Sequence, residues 1–142
     1  MSASIVHFVG AGSGAPDLIT VRGMRLLQEA DVIVYAGSLV NPEILKYAPA
    51  DCEIHNSAFL HLDEVIGILS RAAQQGKNTV RLHTGDPSIF GAIREQIDRL
   101  AELGIDSDVC PGVSSFQGAA ASLKAEYTLP GVSQTVILAR LE

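Results

Sequence analysis

At 142 residues and a net charge of −6 without a basic run, the chain is long enough to bury a core of its own and carries no electrostatic footprint for nucleic acid. Hydrophobic residues make up 47 % of it, yet no apolar run approaches the ~18 residues of a membrane helix, and with 5 % aromatics and no Trp there is no stacking platform for bases. Two cysteines, Cys52 and Cys110, and an opening without a leader pattern give neither a disulfide framework nor a secretion signal, so the expected compartment is cytoplasmic.

Residues 5–9 form a short apolar run closed by Gly10, which reads as a buried strand. The loop GAGSGAP follows, and from Thr20, a candidate N-cap, Val21, Met24, Leu26 and Leu27 recur at helical spacing until about Glu29 or Ala30. DVIVY, residues 31–35, is a second strand with three β-branched residues in a row. Past Gly37 and Ser38, Asn41 and Pro42 open a short helical piece as N-cap and first helical residue. Residues 52–55 read as a weak third strand, 61–75 as a strongly amphipathic helix stopped by Gly76, and 78–82 as a fourth strand.

Residues 92–103 predict another helix, with Ile93, Ile97, Leu100 and Leu103 on one face. A fifth strand at 105–110 leads into a helix of small residues starting near Ser114, and SQTVIL, 133–138, reads as one more apolar strand. Strict alternation of strands and helices predicts an α/β fold: a mostly parallel central sheet of about five strands with helices on both faces. A core-type strand so near the last residue implies a fragment cut at a domain boundary.

In open α/β sheets, ligands bind beyond the carboxyl ends of the strands, where loops diverge and helix N-termini point inward. Three glycine-bearing loops lie at such ends: 10–16, 84–91 and 111–115. Each is also compatible with plain turn chemistry. The first matches G-x-G-x-x-[G/A], the dinucleotide fingerprint, but Pro16 interrupts it, the helix waits until Thr20, and the second strand ends in Tyr35, Ala36 and Gly37 with no carboxylate for a ribose. A dinucleotide-dependent oxidoreductase therefore stands as an alternative, beside a non-catalytic α/β binding module.

In the second loop Gly85 permits a backbone that other residues resist, Asp86 offers two acceptor oxygens, and Pro87 fixes the turn, with Ile89 and Phe90 as apolar flanks. Such a loop suits a ligand with one polar and one flat apolar part; the simpler role for Asp86 is to cap the following helix. In the third loop Ser114 and Ser115 stand at a helix start, where capping and ligand contact are equally compatible. His7, His55, His61 and His83 have no zinc-type spacing, so no metal is expected. No Ser-His-Asp or Cys-His arrangement emerges, and no catalytic residue is assigned.

Taken together and in this order, VGAGSGAPDLITVRG, TGDPSIFG and PGVSS resemble the tetrapyrrole methylases, enzymes that use S-adenosylmethionine in corrin and sirohaem synthesis; the likeness runs across essentially all 142 residues. Within that family, YAGSLVNPEIL and the closing LPGVSQTVILARLE resemble the subgroup that methylates carbon 11 of the macrocycle. Uroporphyrinogen methyltransferases usually carry an aspartate after the tyrosine, where this chain has Ala36, so that aspartate's acid–base role does not transfer. The first loop also departs from the family's common G-A-G-P-G-D, with Ser13 for proline and Ala15 for aspartate.

The resemblance implies two α/β domains with the cofactor in the cleft between them, of which residues 1–142 are the N-terminal one and the second is absent. It implies cofactor contacts from Thr84, Gly85, Asp86, Ile89, Ser114 and Ser115 to S-adenosyl-L-methionine or its product S-adenosyl-L-homocysteine, and substrate contacts from Gly12, Ser13 and Gly14. The partners it implies are a carboxylate-rich tetrapyrrole and a second copy of the chain, with no nucleic acid, membrane or metal. Arg22, Arg25 and Arg81 are candidate anchors for substrate carboxylates, although a solvated or core-rim place is the commoner one for arginine.

Overall fold

The computed structural model describes residues 4–141; residues 1–3, at the very start of the chain, and residue 142 lie outside it. Five strands form one sheet in the order β3-β2-β4-β1-β5, every neighbouring pair parallel. They are β1 (Val6–Gly10), β2 (Val32–Tyr35), β3 (Glu53–Asn56), β4 (Thr79–His83) and β5 (Ser107–Cys110). The helices between and after them are α1 (Val21–Gln28), α2 (Leu62–Gln74), α3 (Ile93–Glu102) and α4 (Ser115–Leu123), with 3-10 turns at Pro16–Leu18, Pro42–Tyr47 and Ser57–Phe59. The expected α/β fold with a parallel five-stranded sheet is what the chain adopts.

A parallel strand in the middle of such a sheet is covered on both faces, so it must be apolar on both. β4 is buried at all five positions and β1 at four, whereas the edge strands β3 and β5 are largely exposed. On one face Val9, Ile33, Val80 and Leu82 pack against Leu27 of α1 and Ile44 of the Pro42–Tyr47 turn. On the other, Val6, Phe8, Val32 and Val34 meet Val65, Ile66 and Leu69 of α2 and Leu100 of α3.

Start signals read from the sequence hold at the atomic level. The Thr20 hydroxyl accepts from the Gly23 amide at 3.0 Å, and Asn41 caps its turn through the Glu43 amide at 3.1 Å. At α2 the Glu64 carboxylate reaches back to the His61 amide at 2.7 Å.

Two expectations fail. Residues 133–138 form no strand; the only pairing there among the described residues is an isolated Leu129–Ser133 bridge, and Val136, Ile137 and Leu138 are exposed. Apolar alternation is not sufficient, because a strand also needs a neighbour for its amides, and β5, the nearest edge in sequence, pairs only with β1. Leu103, expected on the buried face of α3, is 51 % exposed, because the helix ends at Glu102 and the chain turns at Gly104 with φ +72°.

Strand order decides where a site forms. From β1 the chain crosses past β4 to reach β2, while from β4 it crosses over β1 to reach β5. Adjacent strands β1 and β4 therefore send their outgoing connections in opposite directions. That reversal opens a crevice at their carboxyl ends, where α/β sheets hold ligands.

Candidate functional site

At this crevice three backbones meet at glycine. A Cβ on Gly10 would lie 2.5 Å from the Gly85 carbonyl oxygen and 2.7 Å from the Gly112 Cα, and one on Gly112 2.1 Å from the same oxygen, so the ends of β1, β4 and β5 touch only because Gly10 and Gly112 carry no side chain. The first two loops are then stitched together: the Gly12 amide donates to the Gly85 carbonyl at 3.2 Å and the Gly85 amide to the Gly12 carbonyl at 2.9 Å. Both glycines hold left-handed φ values, +84° and +59°.

Asp86 joins the second loop to the third. Its Oδ1 accepts from the Ser88 amide at 2.8 Å and from the Ser88 hydroxyl, and its Oδ2 accepts from the Gly112 amide at 2.9 Å. Partial burial pushes this carboxyl up, but the Ser88 hydroxyl and the two amides outweigh it and hold the group below the usual carboxylate range. Asp86 is therefore an anion already engaged by neighbouring backbone, and the simpler alternative of capping the next helix does not hold, since that helix starts later, at Ile93. Between them, Phe90 and Ala92 take left-handed φ of 54° and 51°, strain of about 1 kcal/mol or more each that raises Phe90 onto the rim.

The third loop ends at α4. Ser114 is buried and forms the N-cap, its amide donating to Gln117 Oε1 at 2.9 Å, while Ser115 is exposed in the first turn. Gly118 leaves room for the Ser13 side chain, whose oxygen lies 2.6 Å from where a Cβ would stand. All three loops thus pack on one another, and between them lies a cleft of ≈ 420 Å³.

Thr84, Gly85, Asp86, Ile89, Ser114 and Ser115 all line that cleft, and Ser13 joins them. Gly12 and Gly14 do not line it: Gly12 is spent on the bridge to Gly85, and the Gly14 carbonyl accepts from the Asn41 side chain at 3.0 Å. Arg22 and Arg25 are exposed on α1, and Arg81 is buried away from the cleft. Leu39 and Arg140 complete the walls; they lie in the stretches YAGSLVNPEIL and LPGVSQTVILARLE that carry the subgroup likeness, but neither is singled out there as a site residue. Leu39 had one further signal, a large apolar residue in a turn at the carboxyl end of β2; Arg140 had none beyond that likeness.

Chemically the cleft offers hydroxyls from Thr84, Ser114 and Ser115, apolar surface from Leu39, Ile89 and Phe90, and the bare backbone of Gly85. Its volume falls within the ~300–1,000 Å³ of small-molecule sites. Among the described residues no cluster of three His, Cys, Asp or Glu side chains exists to hold a metal, and no helix is long and apolar enough to cross a membrane. These features describe a holder of a mixed polar and flat ligand, without an acid–base pair.

The model of the Tetrapyrrole (Corrin/Porphyrin) Methylases matches residues 5–142. This chain belongs to the tetrapyrrole methylase family. Its sequence is 58 % identical over 137 residues to a cobalt-precorrin-4 C(11)-methyltransferase of Methanocaldococcus jannaschii, covering 96 % of this chain and 53 % of that protein. Among solved structures it resembles a cobalamin biosynthetic enzyme, cobalt precorrin-4 methyltransferase, with a TM-score of 0.93 at 46 % identity, covering 96 % of this chain and 57 % of that one. It also resembles a uroporphyrin-III C-methyl transferase of Thermus thermophilus complexed with S-adenyl homocysteine, at TM-score 0.77 and 34 % identity over 93 % of this chain and 53 % of that one.

The chain spans about half the length of the curated relatives it matches. For a tetrapyrrole methylase, the dinucleotide alternative loses its footing: the 3-10 turn at Pro16–Leu18 separates the first loop from α1, and β2 ends at Tyr35 without a carboxylate.

Proposed function

We propose that this chain is the N-terminal domain of a methyltransferase that transfers a methyl group from S-adenosyl-L-methionine to carbon 11 of precorrin-4 or cobalt-precorrin-4 in corrin synthesis. One observation carries the reading: three loops that are far apart in sequence converge on one cleft, in a chain 58 % identical over nearly its whole length to a protein named for that reaction. A second α/β domain, present in the family and supplying the opposite wall of the cofactor site, completes the enzyme. By the same resemblance the enzyme is a cytoplasmic homodimer.

The residues fit the cofactor. Ser114, Ser115 and Thr84 offer hydroxyls to its polar groups, Ile89 an apolar wall to its flat base, and Gly85 a stretch of bare backbone. When bound, S-adenosylmethionine supplies an electrophilic methyl group on a sulfonium and leaves as S-adenosylhomocysteine. An electron-rich ring carbon attacks such a methyl without a strong base, in agreement with a cleft that lacks an acid–base pair. The task left to the chain is to hold both reactants in line and keep water out. Asp86 serves this indirectly by locking the second loop to Gly112 of the third, and Ser13, to which the resemblance gives a substrate contact, lines the same cleft.

Calorimetric titration of a chain extended to the relatives' full length, with S-adenosylhomocysteine in one arm and NAD in the other, tests the reading. Saturable binding of the sulfur nucleoside alone is expected, together with gain of one methyl group on precorrin-4 by mass spectrometry. Binding of NAD with no response to S-adenosylhomocysteine would overturn it.

A further inference from the structure

Away from the cleft, β4 buries a cation without an anion. Arg81 is only 6 % exposed, and burial lowers its pKa to about 10, which leaves the guanidinium charged at neutral pH. Its Nε donates to Gln96 Oε1 at 2.9 Å, and its Nη1 donates to the Val34 carbonyl at 3.2 Å and the Ser57 hydroxyl at 3.0 Å. The partners are themselves fixed: Ser57 donates to the Tyr35 carbonyl at 3.1 Å, and the Gln96 amide to the Ala92 carbonyl at 3.2 Å. Arginine has five N–H donors, so the two on Nη2 are left over.

Among the described residues no carboxylate lies within ion-pair distance of Arg81. The acids in the first turn of α2 are committed elsewhere, Asp63 to Arg99 at 2.8 Å and Glu64 to the His61 amide at 2.7 Å. A buried charge in this situation is costly unless an anion or further acceptors reach it. Arg81 lines a cavity of ≈ 190 Å³ whose other walls are Leu60, Leu62 and Val65, with Ser57 and Gln96 beside the guanidinium. The first turn of α2, which contributes two of those walls, adds the positive end of a helix dipole. One cationic side chain with two neutral hydrogen-bonding neighbours matches the single charge of a carboxylate better than the two of a phosphate, and the small volume admits only a short acid.

We propose that this cavity binds a short aliphatic carboxylate, acetate to propionate in size, on the free N–H groups of Arg81. The proposal stands apart from the methyltransferase reading, since the cavity and the cleft share no lining residue. The carboxylate has two sources, a free acid or a carboxylate arm of a larger tetrapyrrole, and the test separates them.

Full-length protein is titrated with sodium propionate at constant ionic strength, with sodium chloride as the blank and uroporphyrin III as the second arm, by calorimetry and by thermal melting. A saturable rise in Tm with propionate, absent with chloride, is expected for a free acid; a response to uroporphyrin alone assigns the group to a tetrapyrrole arm. In either case Leu60→Phe, which fills the cavity and leaves the bonds of Arg81 in place, abolishes the response. Arg81→Lys, which keeps the charge and loses the planar fork, weakens it about tenfold or more. Should that variant fail to fold, Leu60→Phe decides the matter alone. No saturable response to either acid, or a response that Leu60→Phe leaves unchanged, overturns the site and leaves Nη2 to water.

Discussion

Strand β4 sends Val80 and Leu82 into one face of the sheet and Thr79, Arg81 and His83 into the other, so the two faces are built from one strand with opposite chemistry. The α1 face is purely apolar at this strand. On the α2 and α3 face, Thr79 donates to the Lys77 carbonyl at 3.0 Å, Arg81 has three acceptors, and His83 has none for Nε2, its ring stacked on Phe8 at 6.0 Å. The apolar face gains stability from burial in proportion to area. The polar face gains alignment: through Arg81 and Gln96 it ties β4 and β2 to α3, whose first residue follows directly on the cleft loop.

Acid is the hardest test of this contrast. Burial, and then the charge of Arg81, lower the His83 pKa to about 3 from an ordinary 6.5. Between those values the unfolded chain binds a proton that the folded chain refuses, so stability falls as pH drops from 6.5, by on the order of 4 kcal/mol at pH 3. His83→Phe keeps a ring against Phe8 and removes the titration, so urea melts from pH 7 to pH 4 should show a flatter acid limb in the variant, with neutral-pH stability within about 1 kcal/mol of the parent. Equal slopes would mean that His83 is not the group responsible. On the opposite face Leu82→Ala should cost about 3 kcal/mol through its cavity and do so equally at both pH values. A pH-dependent cost at Leu82 would erase the distinction between the faces.

Much of this was legible in the sequence, and the remainder marks a physical boundary. Five strands and four α-helices follow from apolar period, β-branched runs and caps such as Thr20, because these are local signals. The tail at 133–138 has the same apolar pattern yet forms no strand, since the pattern reports a wish for burial and not the presence of a neighbour. Alternation implied a parallel sheet but not the order β3-β2-β4-β1-β5, which brings the Gly10, Gly85 and Gly112 loops together. Asp86 was visible as a carboxylate at a strand end, whereas the turning of its oxygens onto Ser88 and Gly112 depends on β5 lying beyond β1. Leu39 and Arg140 reach the cleft from distant segments and leave no spacing to read.

The cleft depends on the alignment that the polar face provides, and Asp86 is the place to break it without touching the core. Asp86→Ala frees the Gly112 amide and the Ser88 turn, and in a full-length chain should weaken S-adenosylhomocysteine binding about tenfold, equivalent to ~1.4 kcal/mol. Calorimetry reads the affinity and a melt reads the fold. Unchanged affinity would reduce Asp86 to a turn former.

The smallest expected effect lies on the apolar face, at the polar foothold that starts α1. The Thr20 hydroxyl accepts from the Gly23 amide at 3.0 Å and lies 3.5 Å from the Cys110 sulfur, so it both starts α1 and touches the end of β5 next to the third loop. Thr20→Ala removes the cap and should cost about 1 kcal/mol in denaturant melts. Thr20→Ser keeps the cap oxygen and loses only a methyl group, so it should recover most of that loss. Because α1 packs on the face that carries no alignment duty, neither variant should change S-adenosylhomocysteine affinity by more than about twofold, well under the ~1.4 kcal/mol of a tenfold change. A larger change in Thr20→Ala would show that the cleft leans on both faces of the sheet, through the Thr20–Cys110 contact, and that the division of labour drawn from β4 stops at that strand.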